Sequence, residues 1–67
     1  MFALARFRRG NFVFVTWKGD HSPRHVHVYA SGKLVVKWDL DAWVSMKGKA
    51  GARLLRLLGA LRKEGLL

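Results

Sequence analysis

The stretch "HVHVYASGKLVVKWDL", residues 25–40, consists of two runs rich in β-branched and aromatic residues, separated by Ser31 and Gly32. Val, Tyr and Trp suit a pleated, half-buried surface, and a Ser-Gly pair between two such runs signals a hairpin. Alternate side chains of a strand share a face, so His25, His27 and Tyr29 point one way and Val26, Val28 and Ala30 the other. The valines suit a covered face, which leaves the histidines on the open one. What stands opposite them depends on the loop. A two-residue loop would set Leu34, Val36 and Trp38 beside the histidines; a three-residue loop with Gly32 in the left-handed bulge position would set Val35, Lys37 and Asp39 there. The second register is preferred, because it keeps Leu34, Val36 and Trp38 in the core with the valines. It also places a carboxylate and an ammonium near two imidazoles.

Working outward, "FVFVTWK" (residues 12–18) reads as a further strand, and "ALARF" could add a fourth across "RRGN", where Gly10 and Asn11 tolerate a tight hairpin. Downstream, "DAWVSMKGKAG" (residues 41–51) reads as a loop. The period then changes: in "ARLLRLLGALRKEGLL", Leu54, Leu57, Leu58 and Leu61 recur on one helical face, with Arg53, Arg56 and Lys63 largely on the other. Gly59 weakens this helix by about 1 kcal/mol relative to alanine, and Gly65 is its stop signal. The leucine stripe is read as core packing; a membrane-surface helix shows the same basic amphipathic pattern and is the lesser alternative. The expected fold is α+β: a small antiparallel β-sheet of three to four strands with one C-terminal amphipathic helix packed on one face. Residues 1–67 form a single small basic domain.

Thirteen Lys and Arg against four Asp and Glu give a net charge of +9, enough to attract polyanions over long range. Nucleic acid is the first such partner to consider; an acidic protein is the other. With no cysteine, disulfides and thiolate metal sites are excluded. Arg6, Arg8 and Arg9 interrupt the N-terminal apolar run, and no later run approaches the roughly 18 residues that span a bilayer. A cytoplasmic protein without a membrane partner is expected. At this length a single core buries only about 60% of the unfolded surface, so a partner, a ligand or a homo-oligomer would add needed stability.

All three histidines and the only proline lie in "GDHSPRHVHV", residues 19–28. "DHSP" is a turn signal that can return Asp20 and His21 toward His25. Three chemistries compete there. His21, His25 and His27 with Asp20 could ligate zinc or another divalent metal. A histidine pair with a cation and a tyrosine could cleave RNA without metal, one imidazole acting as base and another as acid. Alternatively, the imidazoles and Tyr29 stack on bases, as aromatics on an open sheet do in single-strand binders. Against all three stands a strand whose histidines are satisfied by neighbouring carbonyls, with Asp20 a turn cap and His21 an exposed turn residue.

"DHSPRHVHV", followed by a hairpin, "LVVKWDL" and a leucine-rich C-terminal helix, resembles the small bacterial domain-of-unknown-function family 4160. The family hallmark is Asp-His-x-Pro-Pro-His-x-His. Asp20, His21, Pro23, His25 and His27 match it, over a resemblance covering residues 7–66, while Arg24 replaces the usual second proline and adds a cation. The resemblance implies a histidine-based site and a small cognate protein partner, in the manner of toxin–antitoxin modules.

Of the tryptophans, Trp38 fits the core, while Trp17 and Trp43 suit its edges. "WVSMKGKAG" lacks the spacing of a Walker loop. Lys47, Lys49, Arg53 and Arg56 would run as one basic stripe from that loop onto the helix, suited to backbone phosphates. The expected function is that of a basic toxin–antitoxin-like component binding nucleic acid, RNA above other classes. His25 and His27, assisted by His21, are its candidate catalytic residues, and Arg24, Tyr29, Lys37, Lys47, Lys49, Arg53 and Arg56 its candidate contacts. No cofactor is expected on this reading. The alternative is a non-enzymatic metal-binding or protein-interaction domain using the same histidines.

Overall fold

The computed structural model describes residues 2–18 and 24–67. Five strands form one antiparallel sheet in sequence order: β1 (Phe2–Arg9), β2 (Phe12–Lys18), β3 (His25–Ala30), β4 (Lys33–Asp39) and β5 (Val44–Gly48); α1 (Ala52–Lys63) follows. The α+β class and the C-terminal helix agree with the sequence reading, but the strand count is five rather than three to four. The fourth strand anticipated at the start of the chain is β1, which pairs with β2 through a two-residue turn in which Gly10 supplies the positive φ of 59°. The additional strand, β5, lies in the segment read as a loop. All of its residues are exposed, so it has no contrast between an apolar and a polar face; main-chain pairing to β4 makes it a strand.

The turn before β5 is built by Asp39. Its Oδ1 accepts the backbone N–H groups of Asp41 (2.8 Å) and Ala42 (2.9 Å), while its carbonyl accepts Trp43 N–H (3.0 Å). A short acidic side chain capping its own following turn is the behaviour that favours Asp at such positions. Trp43 sits at φ 60° and lays its ring edge-on against Trp38, with centroids 5.6 Å apart, while Arg62 covers it at 4.6 Å. Trp43 thus caps the edge of the core, as its place in the sequence suggested.

One side of the sheet carries Phe14, Val26, Val28, Val36 and Trp38, which pack with Leu40 against Leu54, Leu58 and Leu61 of α1. These three leucines are the helical stripe read from the sequence, and Leu57 packs at its margin. The helix ends as expected at Gly65, φ 83°, whose N–H reaches the Arg62 carbonyl (3.0 Å) while Leu66 N–H reaches that of Leu61 (2.9 Å). This is the Schellman pattern, which occupies carbonyls the helix leaves without partners. An ion pair between Arg9 and Glu64 (3.2 Å) links the end of β1 to the same terminus.

The register of the central hairpin combines the two alternatives. Ala30 pairs with Lys33, so the loop has two residues, and Ser31 and Gly32 both take positive φ (52° and 75°), as a type I′ turn demands. Tyr29 accordingly faces Leu34. A β-bulge at Val35 then shifts the register by one, so that Val28 pairs with Val36, His27 with Lys37 and His25 with Asp39. The preferred partners of the histidines are present, but the bulge sets them rather than a three-residue loop. Leu34 is therefore not in the core: it lies before the bulge, on the open side, 41% exposed.

Gly48 (φ 79°) fits against the bulge, since a Cβ there would fall on the carbonyl oxygen of Val35. Gly48→Ala is expected to break the β4–β5 pairing and destabilise the protein in urea unfolding, because backbone rather than a mobile side chain blocks the methyl group. Gly59→Ala has the opposite sign. A Cβ at Gly59 meets nothing within 4 Å, so the variant should gain about 1 kcal/mol from helix propensity. In a domain of this size that is a rise of about 4–8 °C in Tm, measurable by circular dichroism.

Candidate nucleic-acid interface

The open side of the sheet is assembled by cross-strand pairing. Residues directly opposite in an antiparallel sheet share a face, so the pairings Arg6 with Val15, Val15 with His27, His27 with Lys37 and Lys37 with Lys47 define one transverse row across all five strands. With strands about 4.8 Å apart, that row is about 19 Å long. A second row, Arg8, Val13, Tyr29 and Leu34, runs beside it toward the hairpin turns. His25 stands on the same face opposite Asp39.

Along β3 the three rings form a ladder. His25 and His27 meet edge-on with centroids 5.1 Å apart, and His27 and Tyr29 are stacked within 20° of parallel at 6.4 Å. His25, His27 and Tyr29 are each half-buried. The ladder presents ring surface with both hydrogen-bonding and titratable capacity, flanked by Arg6 and Arg8 on one side and Lys37 and Lys47 on the other.

Little negative charge balances these cations. Asp39 holds the β4–β5 turn, Glu64 pairs with Arg9 and Asp41 pairs with Arg24. Among the described residues no ion pair joins Arg6, Arg8, Lys37 or Lys47 to a carboxylate. Lys37 and Lys47 stand directly opposite one another, an arrangement that destabilises a sheet unless an anion is near.

Of the residues anticipated as contacts, the fold gathers Tyr29, Lys37 and Lys47 around His25 and His27. It sends the others elsewhere. Lys49 follows β5, and Arg53 and Arg56 are exposed on α1, which packs against the opposite face, so the expected continuous stripe divides between two surfaces. Arg24 is directed to Asp41, its Nε 3.2 Å from Oδ1 and its backbone N–H 3.0 Å from Oδ2. Arg6 and Arg8, by contrast, belong to the face and were passed over. Their signal is the alternation in "ARFRR": Arg6 and Arg8 flank Phe7, which packs at the core, as a strand with one wet face requires.

Asp20, His21 and Pro23 lie outside the described residues. Among the described residues no three His, Cys, Asp or Glu side chains converge. No helix of the described residues is long and apolar enough to cross a membrane. Comparison of the chain with known protein families, with curated proteins and with solved structures finds no match.

The Arg24 backbone N–H, and after it the Arg24 side chain, hold the Asp41 carboxyl below the ordinary value of 3.8. A carboxylate whose pKa is depressed by folding stabilises the fold above its unfolded pKa, and that contribution is lost as pH falls through the folded one. Because the backbone donor is the larger cause, Arg24→Ala should raise the Asp41 pKa only part of the way back to 3.8. A carboxyl carbon-13 NMR titration of both proteins measures this; full restoration would mean that the guanidinium alone holds the shift.

Proposed function

We propose that the protein binds single-stranded RNA across the open face of its sheet, with His27 at the centre. The observation that carries this reading is the transverse row: Arg6, Lys37 and Lys47 are brought into line with His27 by the strand register, on the face opposite the helix. A flexible polyanion laid along the row meets cations from three strands, and the stacked His27 and Tyr29 rings offer π surfaces to its bases. Backbone-tracking charge combined with aromatic platforms is the recurring solution for single strands, whose unstacked bases can reach the rings. A duplex presents only base edges, which a flat ring ladder does not read.

The same face has the parts for metal-free cleavage, two imidazoles with an ammonium opposite one of them. Such chemistry needs one neutral and one protonated imidazole. A role as the basic member of a toxin–antitoxin-like pair with a small cognate protein is supported by the residue 20–28 motif.

The test is equilibrium binding of a fluorescent single-stranded RNA as a function of salt. Three row cations should give a slope of log K against log salt near −2, at about 0.7 per phosphate neutralised. Lys37→Gln should lower affinity for all sequences alike and reduce the slope by about 0.7. His27→Ala should cost about 1 kcal/mol or more without changing the slope, as lost stacking does. If Lys37, Lys47 and His27 can each be replaced without effect while Arg53→Gln and Arg56→Gln abolish binding, the helix is the interface and the reading fails. The same samples, run on a denaturing gel over about pH 5 to 8, report cleavage: a bell-shaped profile abolished by His25→Ala or His27→Ala marks the pair as acid and base.

A further inference from the structure

The second transverse row ends in a feature that RNA tracking by the first row meets only at Arg6 and Val15. Between the edge strand β1 and the turn at Ser31–Gly32, the open face sinks into a concavity of about 490 Å³. Val13 and Val15 line it together with Tyr29, while Arg6, Arg8 and Asn11 supply polar groups. Small-molecule sites occupy about 300–1,000 Å³ and combine an apolar surface with a few convergent polar groups, so both the size and the lining suit one nucleotide.

The charge is the more specific clue. Each of the other cations of the first row, Lys37 on β4 and Lys47 on the opposite edge strand β5, is a single ammonium, matched to the single charge of a phosphodiester. At the β1 edge two guanidiniums stand two residues apart on one face of one strand. A guanidinium forks onto two oxygens at once, and two of them match the extra charge and the three free oxygens of a phosphomonoester. The location agrees: β1 is the last strand, so a polyanion crossing the sheet from β5 runs out of surface there. On its other side the concavity is bounded by the β1–β2 and β3–β4 turns, through Asn11, Ser31 and Gly32.

We infer that this concavity is a terminal-nucleotide subsite, which takes a phosphorylated end of the RNA strand, with Arg6 and Arg8 on the phosphomonoester and the nucleoside against Val13, Val15 and Tyr29. It rests on the RNA-binding reading and specifies the class of end that the same face selects. Arg8 is the residue that separates the two ideas, because it stands outside the row of Arg6, His27, Lys37 and Lys47.

The experiment compares three hexauridylates in the same buffer, one with a 5′-phosphate, one with a 3′-phosphate and one with hydroxyls at both ends. The wild-type protein should bind one of the phosphorylated strands about five- to tenfold more tightly than the hydroxyl-ended strand, as charge-assisted bidentate contacts imply. Arg8→Gln should erase that preference, bringing all three strands to the same affinity; Arg8→Lys should keep part of it. Lys37→Gln should weaken all three strands equally. Equal wild-type affinity for all three overturns the subsite and leaves RNA binding standing. Failure of every strand to bind overturns both. A preference that survives Arg8→Gln also overturns the assignment, since the phosphate would then be read elsewhere. Arg8 is exposed, and circular dichroism of each variant confirms that the comparison is between folded proteins.

Discussion

One extra residue in β4 governs which side chains of this protein can meet. On the turn side of Val35 the β3–β4 register follows from the two-residue loop; beyond it every pairing is shifted by one. Because side chains alternate with a period of two, that shift moves the whole far half of β4 from one face to the other. Without the bulge, Val36 and Trp38 would stand beside the histidines, while Lys37 and Asp39 would be driven into the helix-covered core. The bulge thus sorts apolar from charged residues, and Gly48 makes it possible, because only a residue without Cβ leaves room for the Val35 carbonyl. Core, turn and open face share this one local device.

The two faces that result have opposite energetics. On the helix side, Phe14, Val26, Val28, Val36 and Leu58 are fully buried, and each such side chain contributes about 1.5–3 kcal/mol relative to exposure. On the open side, Arg6, Arg8, Lys37 and Lys47 stand on one surface with His27 between them; of the described carboxylates, Asp39 shares that face but its Oδ1 is taken by the β4–β5 turn, and Asp41 and Glu64 pair with Arg24 and Arg9. A sheet this small has few stabilising contacts to set against repulsion between its own cations. The buried indole N–H of Trp38, which has no hydrogen-bond partner among the described residues, is a further cost on the core side. Among the described residues, the packing therefore leaves the charge of the open face without neutralisation.

Much of this was legible in the chain because the signals were periodic. The leucines of α1 repeat at helical spacing, Gly65 stops the helix as a left-handed C-terminal residue should, and "HVHV" alternates too plainly to be anything but a half-exposed strand. What escaped the sequence had no period to betray it. Strand β5 is exposed on every residue, so its existence follows from the free edge of β4 and from the Asp39 turn that returns the chain to it. The bulge at Val35 leaves no mark in "KLVVKWDL", where four of the first seven residues are apolar or aromatic in either register. The stripe from Lys47 to Arg56 looked continuous because it is so along the chain; strand alternation at Lys47 and helix packing at Leu54 send its two ends to opposite sides of the molecule.

Charge crowding on the open face also changes what binding would do to the fold. A ligand that binds the folded chain and not the unfolded one adds stability, about 2.7 kcal/mol at a hundredfold excess over Kd. For a polyanion there is a second contribution of the same sign. Lys37 and Lys47 are held opposite one another only in the folded sheet, so placing phosphate between them removes a repulsion that the unfolded chain does not feel. Salt would screen the repulsion and the attraction together: it favours the ligand-free fold while it weakens the complex. The cations that would attract RNA on the proposed reading are thus the ones whose mutual repulsion makes the free protein less stable, which is the trade expected of a surface shaped for a partner rather than for the fold.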